Sequence, residues 1–168
     1  MTASLNPTDR LQIQELIARY AWSLDTGDIE GFISCFSSEG ALVWNVFDPP
    51  GCWQGHAALQ RFISYFVARP ESAGRQHHVS NLVIASHPDG AVARSYVLVA
   101  LRAGGGPHLV TVMGHYEDLL VRDGADWRFA RREIRDWSGP VLSRFAGQDG
   151  ERKPRELPEA LNALWSTR

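Results

Sequence analysis

Four long segments rich in β-branched and aromatic residues occupy the second half of the chain and constrain the fold most strongly. They cover residues 76–86, 91–102, 108–122 and 127–137. The stretches between them are short and rich in Gly, Pro or Asp, which is typical of turns. Long strands joined by short turns form hairpins, so the pattern predicts an antiparallel sheet. A sheet of such long strands twists and coils, and its concave side needs a cover.

The first half of the chain has apolar residues at helical spacing, which predicts helices. The first helix carries one apolar stripe; Asn6 or Thr8 is the candidate cap at its start, and Gly27 ends it. Asp28 is placed to cap a second, shorter helix with an apolar face of its own. The two helices are therefore expected to meet at a tight turn over residues 25–28.

A third helix is predicted between Gly55 and Pro70, after a pair of short strands. Residues 41–47 form a strand-like run, a turn follows, and residues 52–54 form a short return strand. Helices that come first and strands that follow favour an α+β fold over a doubly wound one. We expect a cone-like curved antiparallel sheet with the three N-terminal helices packed on its concave face. Such a half-cone encloses a cavity wherever side chains do not fill it.

Length and charge limit the function classes. The 168 residues suit one domain, predicted over residues 1–140, followed by an extension with a short helix over residues 141–168. The formal net charge of −2 offers no broad positive field to nucleic acid or to an anionic membrane. Two cysteines are too few for a disulfide framework, and the start of the chain lacks the features of a signal peptide. We expect a cytoplasmic protein that binds neither nucleic acid nor a membrane.

Three stretches carry a resemblance to a known family. They are residues 16–28, residues 76–82 with the sequence QHHVSNL, and residues 114–129, which begin with GHYED. Together they resemble the SnoaL-like family of the nuclear transport factor 2-like superfamily, and within it the branch of scytalone dehydratase and hexachlorocyclohexane dehydrochlorinase. The resemblance implies the cone-shaped, cystatin-like fold that the pattern of helices and strands also favours.

In that branch, an aspartate that follows the first helix pairs with a histidine at the start of a long strand. Asp25 and His77 stand at those two positions. The resemblance therefore implies a catalytic dyad in which the carboxylate orients the imidazole and the imidazole removes a proton. Arg132 corresponds to an arginine of the dehydrochlorinase and is expected to stabilise negative charge on the substrate.

Further residues are expected to bind the substrate, namely Tyr20, Trp44, His78, His115 and Tyr116. Tyr20 lies on the first helix, where relatives often have a residue that lines the pocket. His115 or Tyr116 could give a proton to a leaving group. The substrate itself does not follow from the resemblance, because Leu24 replaces one of the paired tyrosines of scytalone dehydratase.

Each of these residues also has a structural interpretation. Asp is common in turns such as the one at Asp25, and Arg132 lies in a charge run where solvated faces are usual. Tyr20 lies on an apolar stripe, where core packing is common. His77 and His78 are neighbours on a strand, so their side chains face opposite sides. The histidines show no usual metal-ligand spacing, and we predict neither a metal nor another cofactor.

The sequence thus leaves two functions open. The first is a cofactor-independent lyase or isomerase, of the dehydratase kind, that acts on a hydrophobic oxygenated small molecule. The alternative is a non-catalytic module, either a binder of small molecules or a protein that resembles the small subunit of an oxygenase. A homo-oligomer, dimer or trimer, is also expected, because the strand over residues 91–102 is apolar on both faces.

Overall fold

Three α-helices and a six-stranded curved sheet form the structure, a computed structural model that describes residues 5–102 and 105–137. The helices are α1 (Pro7–Thr26), α2 (Ile29–Ser34) and α3 (His56–Val67). The strands are β1 (Phe36–Trp44), β2 (Gly51–Gln54), β3 (Gln76–His87), β4 (Gly90–Arg102), β5 (His108–Asp123) and β6 (Asp126–Asp136). The predicted α+β class is confirmed. The predicted extension over residues 141–168 lies outside the described residues.

The sheet is mixed, whereas the sequence predicted a wholly antiparallel one. Its strand order is β2-β1-β6-β5-β4-β3, and it is not closed into a barrel. The strands from β3 to β6 follow one another through short turns and pair antiparallel, as predicted. The pair of β1 and β6 is parallel. A short hairpin would force its two strands to be antiparallel, but no hairpin joins β1 to β6, so either direction is possible.

Capping residues fix the start and end of α1. The side chain of Asn6 accepts a hydrogen bond of 2.9 Å from the backbone N–H of Asp9, and the Asp9 carboxylate accepts one of 3.0 Å from the N–H of Asn6. Gly27 follows the helix with a φ of 75°, a conformation that glycine adopts without strain. Asp28 then caps α2 by accepting from the N–H of Gly31 at 2.9 Å. These caps place the last turn of α1 next to the start of β3.

The predicted ends of two helices differ from the structure by a few residues. The second helix ends at Ser34, and Phe36, predicted on its apolar face, is the first residue of β1. The third helix ends at Val67, three residues before Pro70, which instead begins a short 3₁₀ turn. Pro70 lacks an N–H, so it suits the first position of that turn. These shifts leave the layer arrangement unchanged.

The helices cover one face of the sheet and the other face remains partly exposed. Along β4, Val97 and Val99 are buried beneath the helices, while Leu98 between them is 38% exposed. Met113 on the neighbouring strand is 41% exposed on the same outer face, since it pairs with Leu98. The predicted homo-oligomer stays a prediction. Within the residues described, no helix is both long and apolar enough to cross a bilayer.

Candidate active site

The side chains of Asp25 and His77 meet where α1 ends and β3 begins. The Oδ1 atom of Asp25 lies 2.5 Å from Nδ1 of His77. The other carboxylate oxygen, Oδ2, accepts a hydrogen bond of 2.7 Å from the backbone N–H of His77. One carboxylate therefore holds both the ring and the backbone of a residue 52 positions away in the sequence. In the structure the turn after α1 is formed by Gly27 and Asp28, which leaves the side chain of Asp25 for this contact.

The contact with Asp25 determines which ring nitrogen of His77 carries the proton. Because a carboxylate only accepts hydrogen bonds, Nδ1 of His77 carries the proton and Nε2 keeps its lone pair. Burial lowers the pKa of His77, and the hydrogen bond and charge of Asp25 offset that effect only in part. None of the described residues hydrogen bonds to Nε2. His77 is thus a neutral base at neutral pH, with its free nitrogen available.

A cavity of about 650 Å³ lies between the helices and the sheet, and His77 is part of its wall. This volume is within the usual range for sites that bind a small molecule. The wall is largely aromatic and aliphatic and includes Tyr20, Leu24, Trp44, Phe47, Phe62, Tyr65, Phe66, Val97, Val99, Leu101, Val112, Tyr116 and Ile134. Polar wall residues come from one short segment before β3 and from β5, namely Arg69, Glu71, Ser72, Arg75 and Thr111.

Two tyrosines add hydroxyl groups to this wall. The rings of Tyr20 and Tyr116 pack edge to face with their centroids 6.0 Å apart. Burial raises the pKa of each phenol well above its ordinary value, so both stay protonated and are able to donate a hydrogen bond. The hydroxyl of Tyr20 is buried and has no hydrogen-bond partner among the described residues.

Arg132 lies behind the cavity wall. Its Nε and Nη2 atoms each donate to the carboxylate of Asp118 at 2.8 Å, and both side chains are fully buried. Its guanidinium packs against the rings of Tyr20, Tyr116 and Phe129, with centroid distances of 4.0 to 4.2 Å. Burial opposes its charge, but the Asp118 carboxylate outweighs burial and raises the pKa of Arg132. The structure therefore gives Arg132 contacts that position the two tyrosines and does not bring it to the cavity.

Like Arg132, the two histidines predicted to bind substrate do not line the cavity. His78 is exposed and pairs with outward-facing Leu98, because neighbouring residues on a strand face opposite sides. His115 pairs with Tyr96 on the outer face, and its Nδ1 accepts a hydrogen bond of 2.8 Å from Nε1 of Trp137. Of the predicted substrate-binding residues, Tyr20, Trp44 and Tyr116 line the cavity.

Sequence reasoning missed Arg75, a cavity residue directly before β3. One signal for it was present, since Arg75 precedes His77 by two residues, the spacing at which extended residues share a face. The aromatic residues of α3 on the wall were predicted only as an apolar helix face. Within the residues described, no three His, Cys, Asp or Glu side chains are grouped so that they could share a metal ion.

Comparison with family models decides the family. A model described as SnoaL-like domain matches residues 7–133, which include both members of the Asp25–His77 pair. The chain belongs to the SnoaL-like family. The resemblance noted from its sequence is thereby confirmed for fold and family. No curated protein is significantly similar to this SnoaL-like chain.

Solved structures share the SnoaL-like fold. A Mycobacterium tuberculosis protein of unknown function has 25% identity and a TM-score of 0.73, with 95% of each chain covered. A protein from Novosphingobium aromaticivorans, described as NTF2-like with a cystatin-like fold, has 28% identity and a TM-score of 0.71 over 84% of this chain and 90% of its own. A candidate scytalone dehydratase from the same organism has 24% identity and a TM-score of 0.66 over 77% of this chain and 84% of its own.

The buried pair of Arg132 and Asp118 yields a stability prediction. Asp118→Asn leaves the Arg132 charge buried without its carboxylate, and we expect it to lower the free energy of unfolding by about 3–5 kcal/mol. The double replacement Asp118→Leu with Arg132→Met removes both charges and should cost less than Asp118→Asn alone. Glu117→Gln, in a partly exposed ion pair, is the control and should cost at most about 1 kcal/mol. Urea denaturation measures all three, and a harmless Asp118→Asn would contradict the structural role of the pair.

Proposed function

We propose that the protein is a cofactor-independent lyase or isomerase that acts on a hydrophobic oxygenated small molecule. His77 is the general base, and Asp25 orients it and stabilises the imidazolium that forms. The observation that carries this proposal is the contact between the two side chains on the wall of a largely apolar cavity. Such a contact provides a base near neutral pH that is held in one tautomer.

In the first step, Nε2 of His77 takes a proton from a carbon next to a carbonyl group of the substrate. The C–H bond breaks, and its electron pair moves onto the carbonyl oxygen to give an enolate. The apolar wall excludes water, which strengthens the electrostatic interactions around the developing charge. Asp25 favours this step because its carboxylate stabilises the positive charge that His77 gains.

The second step distinguishes a lyase from an isomerase. In a dehydration, the enolate re-forms its carbonyl and a C=C bond while the C–O bond to a hydroxyl group breaks. The leaving hydroxide takes the proton of the His77 imidazolium, directly or through the hydroxyl of Tyr116, which gives up its proton and regains one from His77, and departs as water. In an isomerisation, the imidazolium returns its proton to a different carbon. The Novosphingobium neighbour named as a candidate dehydratase shares the fold that would host this chemistry.

The alternative of a non-catalytic binding module needs the cavity but does not need the dyad. A buried histidine oriented by a carboxylate, with its second nitrogen unused by the described residues, is what proton transfer requires. The two functions differ in one measurable respect. Replacement of His77 should lower turnover sharply in an enzyme, whereas in a carrier, which has no turnover, it should change only the affinity for the ligand.

Substitution of adjacent histidines tests the proposal. A panel of hydroxylated ketones, sterols and polyketide fragments first identifies a substrate that the wild type converts. His77→Gln should then lower kcat by about 10²- to 10⁴-fold, the usual contribution of a general base. His78→Gln, one residue along but facing outward, is the matched control and should stay within about twofold. If the panel shows turnover that His77→Gln leaves unchanged, His77 is not the base.

The pH dependence of kcat/KM provides a second prediction. Since burial lowers the pKa of His77, the acid limb of the profile should have its midpoint below about 6.5, the value of an unperturbed histidine. Activity is then complete above that midpoint and is lost as the pH falls through it, because the protonated imidazole cannot accept a proton. An acid limb centred above 7 would contradict this assignment.

A further inference from the structure

Arg75 is a largely buried cation on the cavity wall beside the proposed base. Its side chain is 13% exposed and its guanidinium lies over the ring of Phe66, 4.9 Å from the centroid. One of its terminal nitrogens donates to the backbone carbonyl of Leu24 at 3.5 Å. Burial lowers the pKa of Arg75, but a guanidinium stays charged at any physiological pH. A largely buried positive charge, 4.0 Å from the Asp25 carboxylate, thus lies on the wall of a largely apolar cavity.

The Nε–H group of Arg75 has no hydrogen-bond acceptor among the described residues. The carboxylate of Asp25 lies 4.0 Å from this nitrogen, which is beyond hydrogen-bond distance. Arg69 on the same wall offers a useful contrast. Its Nε donates to Glu71 at 2.8 Å and its side chain is 41% exposed, so its charge is already balanced. Arg75, a residue of the cavity wall, therefore has one buried donor that the described residues leave unused.

A second unused donor belongs to another residue of the same cavity wall. The hydroxyl of Tyr20 is buried and unpartnered among the described residues. Buried donors without an acceptor are costly, so a native structure normally satisfies them with something that binds. The largely apolar wall of the cavity thus includes two residues whose buried donors have no acceptor among the described residues.

We propose that Arg75, with Tyr20, binds the substrate oxygen on which negative charge develops. The substrate class is then an enolisable ketone on an aromatic or alicyclic skeleton, and its carbonyl oxygen faces Arg75 while the carbon beside it faces His77. This identification of the substrate rests on the proposed function. Arg75 takes the charge-stabilising role that the sequence had predicted for Arg132, which Asp118 already holds. The electron pair left when His77 takes its proton moves onto the oxygen that Arg75 contacts.

Binding of a phenolate tests this assignment without knowledge of the substrate. 4-Nitrophenol at pH 8 supplies a planar anion that resembles an enolate, and 4-nitrotoluene is its neutral counterpart. The wild type should bind the nitrophenolate at least tenfold tighter than 4-nitrotoluene, as expected for a charge-assisted hydrogen bond. Arg75→Met should remove that preference and still bind 4-nitrotoluene, which shows that the cavity is intact. Arg75→Lys keeps the charge without the Nε donor and should retain part of the preference.

A control variant at Arg69 and three possible results decide whether the assignment of Arg75 stands. Arg69→Met removes a charge that Glu71 already balances, so it should reduce the preference by less than about twofold. A preference that survives Arg75→Met, or that Arg69→Met removes equally, would overturn the assignment, as would a wild type without any preference. His77→Gln should keep the preference and lose turnover. If His77→Gln keeps turnover while Arg75→Met loses the preference, the proposed function fails and the anion site stands.

Discussion

The carboxylate of Asp25 connects the end of α1 to the start of β3, and the polar end of the cavity depends on this contact. Its two oxygens hold the ring and the backbone N–H of His77, so the imidazole has one orientation and one protonated nitrogen. The caps of α1 and α2 at Gly27 and Asp28 support the contact, because they set where the last turn of α1 ends. Local capping interactions thus position a pair that lies far apart in sequence.

A second layer of buried charge stabilises the same region from behind. The ion pair of Arg132 and Asp118 lies under the rings of Tyr20 and Tyr116, and both tyrosines reach the cavity. Removing one partner of a buried ion pair costs far more than removing one of an exposed pair, and the Arg132 guanidinium packs directly on both rings, so the aromatic wall depends on this pair. The groups in front of this ion pair have separate roles in the proposed chemistry. His77 is the base, and Asp25 is the carboxylate that orients it. Arg75 and Tyr20 bind the substrate oxygen.

The sequence predicted the parts of this structure that local patterns encode. Helical spacing and the capping residues Asn6, Gly27 and Asp28 predicted α1 and α2, and the short turns predicted the antiparallel strands after β3. The parallel pairing of β1 with β6 was not predicted, because no local turn specifies it. The orientation of Arg132 could not be predicted from the sequence either. The sequence shows only a charge run, and the fold shows that the Asp118 carboxylate lies 2.8 Å from Nε of Arg132. Family resemblance, not spacing, indicated that Asp25 would face His77.

The protonation state of His77 tests the central claim most directly. Nitrogen-15 chemical shifts of labelled histidine, with the His77 signals assigned by their loss in His77→Gln, report which ring nitrogen carries the proton. The structure predicts a neutral ring at pH 7 with its proton on Nδ1 and a midpoint of titration below about 6.5. A proton on Nε2, or a ring that remains charged at pH 7, would contradict the account of His77 as a base oriented by Asp25.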